Sequence, residues 1–117
     1  MEPNENWHYR GLHIAIVDPR TGKPTFAKVF DTYQTCYEFD KFVARDDIPD
    51  DNIIIAACKD ECVTCLSETA KLWFESMGSL EIRNLKYREP FVFMAKYRGG
   101  MAGEKVEYHL VESISIT

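Results

Sequence analysis

The sequence lacks the features that would place it in a membrane or on nucleic acid. No apolar run approaches the length that spans a bilayer, and 14 basic residues against 19 acidic ones give a net charge of -5. An acidic chain is a poor partner for nucleic acid or for an anionic membrane surface. The first residues also lack the basic and apolar stretches of a signal peptide, which leaves a cytosolic protein or a domain cut from a secretory precursor. We therefore predict no nucleic-acid partner and no membrane insertion.

Common catalytic motifs are absent as well. The chain has no nucleophile elbow, no glycine-rich phosphate loop and no HExxH zinc motif. The adjacent carboxylates Asp60 and Glu61 have no mate at the separation that glycoside hydrolysis requires. We predict a protein that is not an enzyme and that uses no cofactor.

What the chain does contain is enough apolar sequence for one packed domain. Hydrophobic residues make up 45% of the 117 residues and aromatic residues 13%, which is typical of a globular fold. A strand over Leu12–Val17, a turn over Asp18–Gly22 and a strand over Phe26–Phe30 predict a β-hairpin.

A helix and a central strand follow this hairpin. Phe39, Phe42 and Val43 lie at i, i+3 and i+4, which indicates a short helix. The strand Ile53–Ala57 is apolar on both faces and is therefore predicted to be central. The strand–helix–strand order over residues 26–57 predicts a right-handed crossover and a parallel pair of strands.

The second half of the chain predicts a longer helix and two more strands. The helix carries one apolar face and stops at Gly78; that face consists of Leu66, Ala70, Trp73, Phe74 and Met77. Phe91–Ala95 reads as a buried strand. Residues 99–103 are glycine-rich and predict a flexible loop, and the alternation over residues 105–116 predicts a half-exposed strand.

Three of the four cysteines fall in the octet Cys58-Lys59-Asp60-Glu61-Cys62-Val63-Thr64-Cys65. Cys62 and Cys65 form a CxxC at a helix start, where a thiol pKa would be lowered, but too few residues separate Cys65 from Pro90 for a thioredoxin fold. A zinc site would need Cys36 or a histidine as its fourth ligand, and the octet has no second paired knuckle. Two structural disulfides are the favoured interpretation, with no metal bound.

Several segments together resemble a known family. Gly11-Leu12-His13-Ile14-Ala15-Ile16-Val17, Val29-Phe30-Asp31-Thr32-Tyr33, Lys59-Asp60-Glu61 and Leu85-Lys86-Tyr87-Arg88-Glu89-Pro90-Phe91 resemble, in order and spacing, the interleukin-like EMT inducer domain. Similar domains occur in the pancreatic-derived-factor group of secreted cytokine-like proteins. Among such domains, this sequence most resembles the stem domain of protein O-mannose N-acetylglucosaminyltransferase.

The resemblance implies an architecture and a location. The fold class would be α+β, with two mainly antiparallel sheets packed together and short flanking helices in a single compact domain. Residues 1–10 would form an N-terminal extension and residues 11–117 the domain itself. The protein would be secreted or would lie in the lumen of the Golgi or ER.

The resemblance also implies a non-catalytic, lectin-like function. By position, Asp60 and Arg88 match the sugar-contacting residues of the stem domain. A carboxylate accepts hydroxyl hydrogens of a sugar, a guanidinium donates a rigid fork, and an aromatic ring covers the C–H side. We expect Asp60 and Arg88 to bind a mono- or oligosaccharide, with a GlcNAc-type sugar as one candidate, assisted by Glu61 and by the rings of Tyr87 or Phe91. The alternative is a cytokine-like module that binds a protein receptor.

The cysteines are expected to brace this region. Cys36 follows one strand of the proposed crossover, and Cys58 to Cys65 follow the other, so both loops should lie at the same end of the sheet. We predict that Cys36 bonds to Cys62 or to Cys65 and that Cys58 takes the remaining partner.

Overall fold

The computed structural model describes residues 9–45 and 47–105, which form a five-stranded antiparallel sheet with short helices. Numbered along the chain, the strands lie in the sheet in the order β2-β1-β3-β4-β5, and every neighbouring pair is antiparallel. The strands are β1 (Gly11–Val17), β2 (Pro24–Phe30), β3 (Ile53–Lys59), β4 (Phe91–Lys96) and β5 (Gly100–Lys105). The helices are α1 (Glu38–Val43), α2 (Glu68–Ser76) and a short 3₁₀ helix, Ile82–Asn84.

The predicted hairpin of β1 and β2 is confirmed, with Ala15 opposite Ala27 in its register. Backbone hydrogen bonds close its turn: the Gly22 N–H donates to the Asp18 carbonyl (2.8 Å), and the Asp18 N–H donates to the Lys23 carbonyl (3.0 Å). The turn residues proline and glycine therefore end the first strand where the sequence pattern indicated.

The position of β3 at the centre of the sheet is also confirmed, but its predicted parallel neighbour is wrong. β2 and β3 run in the same direction, and β1 lies between them, antiparallel to both. The reason is that β1 is buried on both faces: Ile14 is 0% exposed on one face and His13 is 2% exposed on the other. A strand of this kind belongs inside a sheet and not at its edge.

The helices cover one face of the sheet with an aromatic core, as the apolar spacing predicted. Phe74 on α2 packs against Phe39 of α1 (6.1 Å between ring centroids) and against Phe93 of β4 (5.3 Å). The Ser67 hydroxyl accepts from the Ala70 N–H (3.0 Å) and so caps the first turn of α2. Gly78, with a φ of 102°, follows the end of this helix as predicted.

The flexible loop predicted over residues 99–103 is wrong, because Gly100–Lys105 forms β5. Met94 pairs with Gly103 and Ala95 with Met101, so one residue of β5 is skipped at a β-bulge. Glycine content indicated a loop, but the open edge of β4 supplies backbone partners that stabilise a strand here.

Three further predictions concern the number of sheets, the strand over residues 105–116 and membrane insertion. A second sheet is not present among residues 9–45 and 47–105, so the single-domain α+β fold is supported with one antiparallel sheet. Apart from Lys105, the predicted strand over residues 105–116 lies outside the described part of the chain. Within that part, no helix is long and apolar enough to cross a membrane.

All four cysteines form disulfides: Cys36 with Cys65, and Cys58 with Cys62. This confirms the expectation of two structural bridges and selects Cys65 as the partner of Cys36. The CxxC pair is divided between the two bonds, so it forms no redox disulfide of its own. The first bond joins the loop after β2 to the start of α2, and the second closes the loop after β3.

Loop length predicts unequal contributions from the two bridges. The Cys36–Cys65 bond joins residues 29 apart in sequence, and the Cys58–Cys62 bond joins residues 4 apart. Removing the first pair by double substitution to alanine should lower the free energy of unfolding by about 3–4 kcal/mol, and removing the second by about 2 kcal/mol. Urea unfolding of the two variants and the wild type measures both values. Equal losses would contradict the loop-length account, and an unchanged mass after reduction would contradict the bonds themselves.

Candidate functional site

The structure brings Asp60 and Arg88 together at one end of the sheet. Cys58 pairs with Phe91 in the antiparallel ladder of β3 and β4, so the residue after β3 and the loop before β4 meet there. The Arg88 Nε lies 3.6 Å from the Asp60 Oδ1, and the two side chains are 65% and 50% exposed. They border an open cleft of about 460 Å³ that Cys58 and Pro90 also line.

Both residues have the left-handed backbone conformation, with φ of 64° at Asp60 and 61° at Arg88. This conformation costs a residue with a Cβ roughly 1–2 kcal/mol. Aspartate adopts it more readily than most residues, whereas arginine does so rarely. Strain of this kind is retained where the surrounding structure imposes it, and at Asp60 and Arg88 it lies beside this cleft.

The backbone of Arg88 is held by Glu61, which is 2% exposed. Its Oε1 accepts a hydrogen bond from the Arg88 N–H (3.0 Å). Its Oε2 accepts from the N–H groups of Val63 (2.9 Å) and Thr64 (2.8 Å) and from the Thr64 hydroxyl (2.7 Å). One carboxylate therefore holds the loop after β3 against the loop before β4. Because both oxygens face inward, Glu61 positions the site and does not present its carboxylate to a ligand.

Hydrogen bonding also sets the ionisation of this carboxyl group. Burial alone raises the pKa of Glu61, but the bonds from Arg88, Thr64 and Val63 outweigh it and hold that pKa below its ordinary value of 4.5. The charged form is therefore the one that the fold stabilises.

The two aromatic candidates have different environments. Tyr87 is 56% exposed, and the Arg88 Cζ lies 5.5 Å from its ring centroid. Phe91 is 1% exposed and packs between Phe74 (5.9 Å) and Phe93 (6.2 Å) in the core, so its ring offers no face to a ligand. Interaction with Tyr87, and then the Asp60 charge, raises the pKa of Arg88 above its ordinary value.

Thr32 is a supporting residue that the sequence analysis missed. It is 1% exposed, and its hydroxyl donates to the Cys62 carbonyl (2.6 Å). Its own carbonyl accepts from the Cys65 N–H (2.6 Å). These two hydrogen bonds hold the loop that carries Cys62 and Cys65 against the residues that follow β2. The only signal for it was its place in the Val29–Tyr33 segment.

A second charged pair, also missed, lies at the same end of the sheet. The Arg10 guanidinium forms two hydrogen bonds with the Asp31 carboxylate (3.1 and 2.8 Å) and lies 4.5 Å from the centroid of the Tyr33 ring. Gly11 makes this approach possible: its φ is +122°, and a Cβ there would lie 2.3 Å from the Phe30 carbonyl oxygen. A cleft of about 420 Å³ adjoins the pair, lined by Tyr9, Arg10, Val29 and Asp31.

Metal binding has no support in the described residues. None of their histidines, cysteines, aspartates or glutamates group into a set of three or more that could hold an ion. The cysteines that a zinc site would need are in disulfides.

Comparison with known proteins gives a consistent family assignment. A family model described as interleukin-like EMT inducer matches residues 10–99. Human Protein FAM3B is 35% identical over 88 residues, which are 74% of this chain and 37% of that protein. Mouse Protein FAM3D is 30% identical over 98 residues, which are 80% of this chain and 42% of that protein.

The name of a longer relative mentions a ligand. The human Cell migration-inducing and hyaluronan-binding protein is 28% identical over 108 residues, which are 89% of this chain and 8% of that protein. The chain thus spans less than half the length of each of these relatives.

Replacing Glu61 tests its role in holding the site. Glu61→Gln removes the charge and points an amide donor at backbone N–H groups, so we expect the free energy of unfolding to fall by about 2–3 kcal/mol at pH 7. The control is Glu38→Gln, because Glu38 is partly exposed and its carboxylate lies 3.7 Å from the Lys41 Nζ, a surface pair worth less than about 1 kcal/mol. Similar losses in both variants would contradict a special role for Glu61.

The same pair of variants predicts a pH dependence. Because the pKa of Glu61 is lower in the folded state, its stabilisation is complete above about pH 4.5 and is lost as the pH falls through the folded value. Wild type should therefore lose more stability than Glu61→Gln between pH 5 and pH 3, measured by urea unfolding at each pH. Parallel curves would show that Glu61 does not carry this dependence.

Backbone strain at Arg88 can be measured separately from its charge. Arg88→Ala and Arg88→Gly both remove the guanidinium, but only glycine relieves the left-handed φ of 61°. The glycine variant should be about 1 kcal/mol more stable than the alanine variant in thermal or urea unfolding. A less stable glycine variant would argue against strain at this position.

Proposed function

The chain belongs to the interleukin-like EMT inducer family, and on this premise we propose that it is a secreted, cytokine-like domain that binds a glycan in the cleft between Asp60 and Arg88. Two disulfides in so short a chain support an oxidising compartment, either outside the cell or in the Golgi lumen. The observation that carries the proposal is the exposed Arg88, held in a strained conformation by buried Glu61 and facing Asp60.

The geometry of the pair suits a hydroxyl-rich ligand. The 3.6 Å between Arg88 and Asp60 exceeds the length of a normal hydrogen bond, so the guanidinium donors and the carboxylate acceptors have capacity for a ligand. A sugar hydroxyl donates to the carboxylate, and another sugar oxygen accepts from the guanidinium. An N-acetylglucosamine unit supplies both kinds of group, together with an amide carbonyl. Tyr87 offers an exposed ring for its C–H face.

We infer a binding role without catalysis. Of the adjacent carboxylates, Glu61 is buried under four hydrogen bonds, which leaves Asp60 as the exposed one. The name of one human relative includes hyaluronan binding, which agrees with a polysaccharide as the class of ligand.

A protein receptor is the second candidate partner. Leu72 on α2 and Leu80 just beyond it are 54% and 76% exposed, and Tyr37 before α1 is 60% exposed. A protein partner could bury these side chains at its interface. Such an interface would lie on the helices and would not need the charged cleft.

Glycan-array binding tests the proposal. Asp60→Asn and Arg88→Ala should each lower binding to N-acetylglucosamine-containing glycans by about tenfold or more, since each removes a charge-assisted hydrogen bond. Arg98→Ala is the matched control: Arg98 also has a positive φ (63°), pairs with Asp50 (3.1 Å) and lies 5.2 Å from the Tyr97 ring. It lies at the opposite end of β4 and should bind as wild type does.

Two results would count against the glycan site. One is wild-type protein that binds no glycan on the array. The other is an equal loss in the Arg88 and Arg98 variants, which would indicate a general effect of surface charge. Loss of receptor binding on Leu72→Ser, with no glycan bound by any variant, would favour the protein partner instead.

A further inference from the structure

The charged side chains at this end of the sheet lie in strand order with alternating sign. Asp31 follows β2, Arg10 precedes β1, Asp60 follows β3 and Arg88 lies just before β4. Register confirms that these ends coincide: Leu12 pairs with Phe30, Gly11 with Lys59, and Cys58 with Phe91. We call Asp31, Arg10, Asp60 and Arg88 the charged row.

The two pairs of the row act on each other electrostatically. Hydrogen bonding to Asp31 is the main reason that the pKa of Arg10 is raised, and the Asp60 carboxylate contributes to the same rise. Tyr33, which lies against Arg10, adds to the raised pKa of Arg88. The two clefts therefore lie close together at the same end of the sheet.

The length of the row exceeds what a single sugar contacts. Neighbouring strands are about 4.8 Å apart, so the three steps from β2 to β4 span about 14 Å. One pyranose ring placed between Asp60 and Arg88 covers one of these three steps and leaves the two steps to Arg10 and Asp31 for further units. A ligand that uses the whole row must be a chain of several units.

The signs of the charges narrow the chemistry of that chain. The charges of the two carboxylates and the two guanidinium groups in the row sum to zero. Along the row, hydrogen-bond acceptors alternate with donors. Hydroxyl and acetamido groups match such a surface because each can both donate and accept. A densely sulfated chain would be opposed by Asp31 and Asp60 and by the net charge of -5.

We propose that the charged row and Tyr33 form one extended binding surface for a linear, uncharged oligosaccharide of several units, with Arg10, Asp31 and Tyr33 as a second subsite beside Asp60 and Arg88. This inference rests on the proposed function, since it takes the Asp60–Arg88 cleft as the first subsite. Arg10 is fixed by its two bonds to Asp31, so the second subsite is preorganised before the ligand arrives.

Calorimetric titration with two ligands of different length tests the second subsite. The probes are N-acetylglucosamine and its β1,4-linked tetramer, and the variants are Arg10→Ala, Tyr33→Leu and Arg88→Ala. Wild type should bind the tetramer at least tenfold more tightly than the monosaccharide. Arg10→Ala and Tyr33→Leu should remove most of that difference and leave the monosaccharide affinity unchanged, whereas Arg88→Ala should weaken both.

A matched control and the contrary outcomes complete the experiment. Arg20 also pairs with an aspartate, Asp18 (3.5 Å), but lies in the turn between β1 and β2 at the opposite end of the sheet, so Arg20→Ala should bind as wild type does. Equal tetramer and monosaccharide affinities in the wild type, or unchanged tetramer binding in both second-subsite variants, would overturn the second subsite and leave the Asp60–Arg88 site standing. Wild-type protein that binds neither probe would overturn both. Circular dichroism identifies any variant that fails to fold, and the remaining second-subsite variant then decides the result.

Discussion

The buried carboxylate of Glu61 is the interaction on which the end of the sheet depends. It accepts hydrogen bonds from the loop that follows β3 and from the Arg88 N–H in the loop that precedes β4. Because these loops carry Asp60 and Arg88, the same group that closes the fold also sets the spacing of the exposed pair. A buried charge is tolerated only when its hydrogen-bonding capacity is filled, and four donors fill it here.

The disulfides and Thr32 add to this constraint from the other side. Cys58–Cys62 closes the loop around Asp60, Cys36–Cys65 ties its far end to the loop after β2, and Thr32 bonds to backbone groups within it. A loop held in this way has little freedom to lose when a ligand binds. The cysteines therefore brace the loop that carries Asp60, which is the role predicted for them from the sequence.

Local patterns predicted the elements better than their arrangement. The hairpin, the aromatic face of α2 and the central place of β3 followed from turn residues and apolar spacing. The parallel pair was wrong because β1 is buried on both faces and takes the place between β2 and β3. The glycine-rich strand β5 was missed because glycine is a poor strand former, and pairing with the open edge of β4 overrides this preference.

The sequence by itself singled out the candidate side chains: an acidic pair inside a cysteine-rich octet and, through the family resemblance, an arginine before a buried strand. Only the tertiary structure decided their environments. It turned Glu61 inward, where four donors surround it, left Asp60 outside, and buried Phe91 in the aromatic core. It also placed Arg10 and Asp31, which are 21 residues apart, at the same end of the sheet. The physical reason is that burial and hydrogen-bond partners come from neighbouring strands, and strand order is a property of the whole sheet.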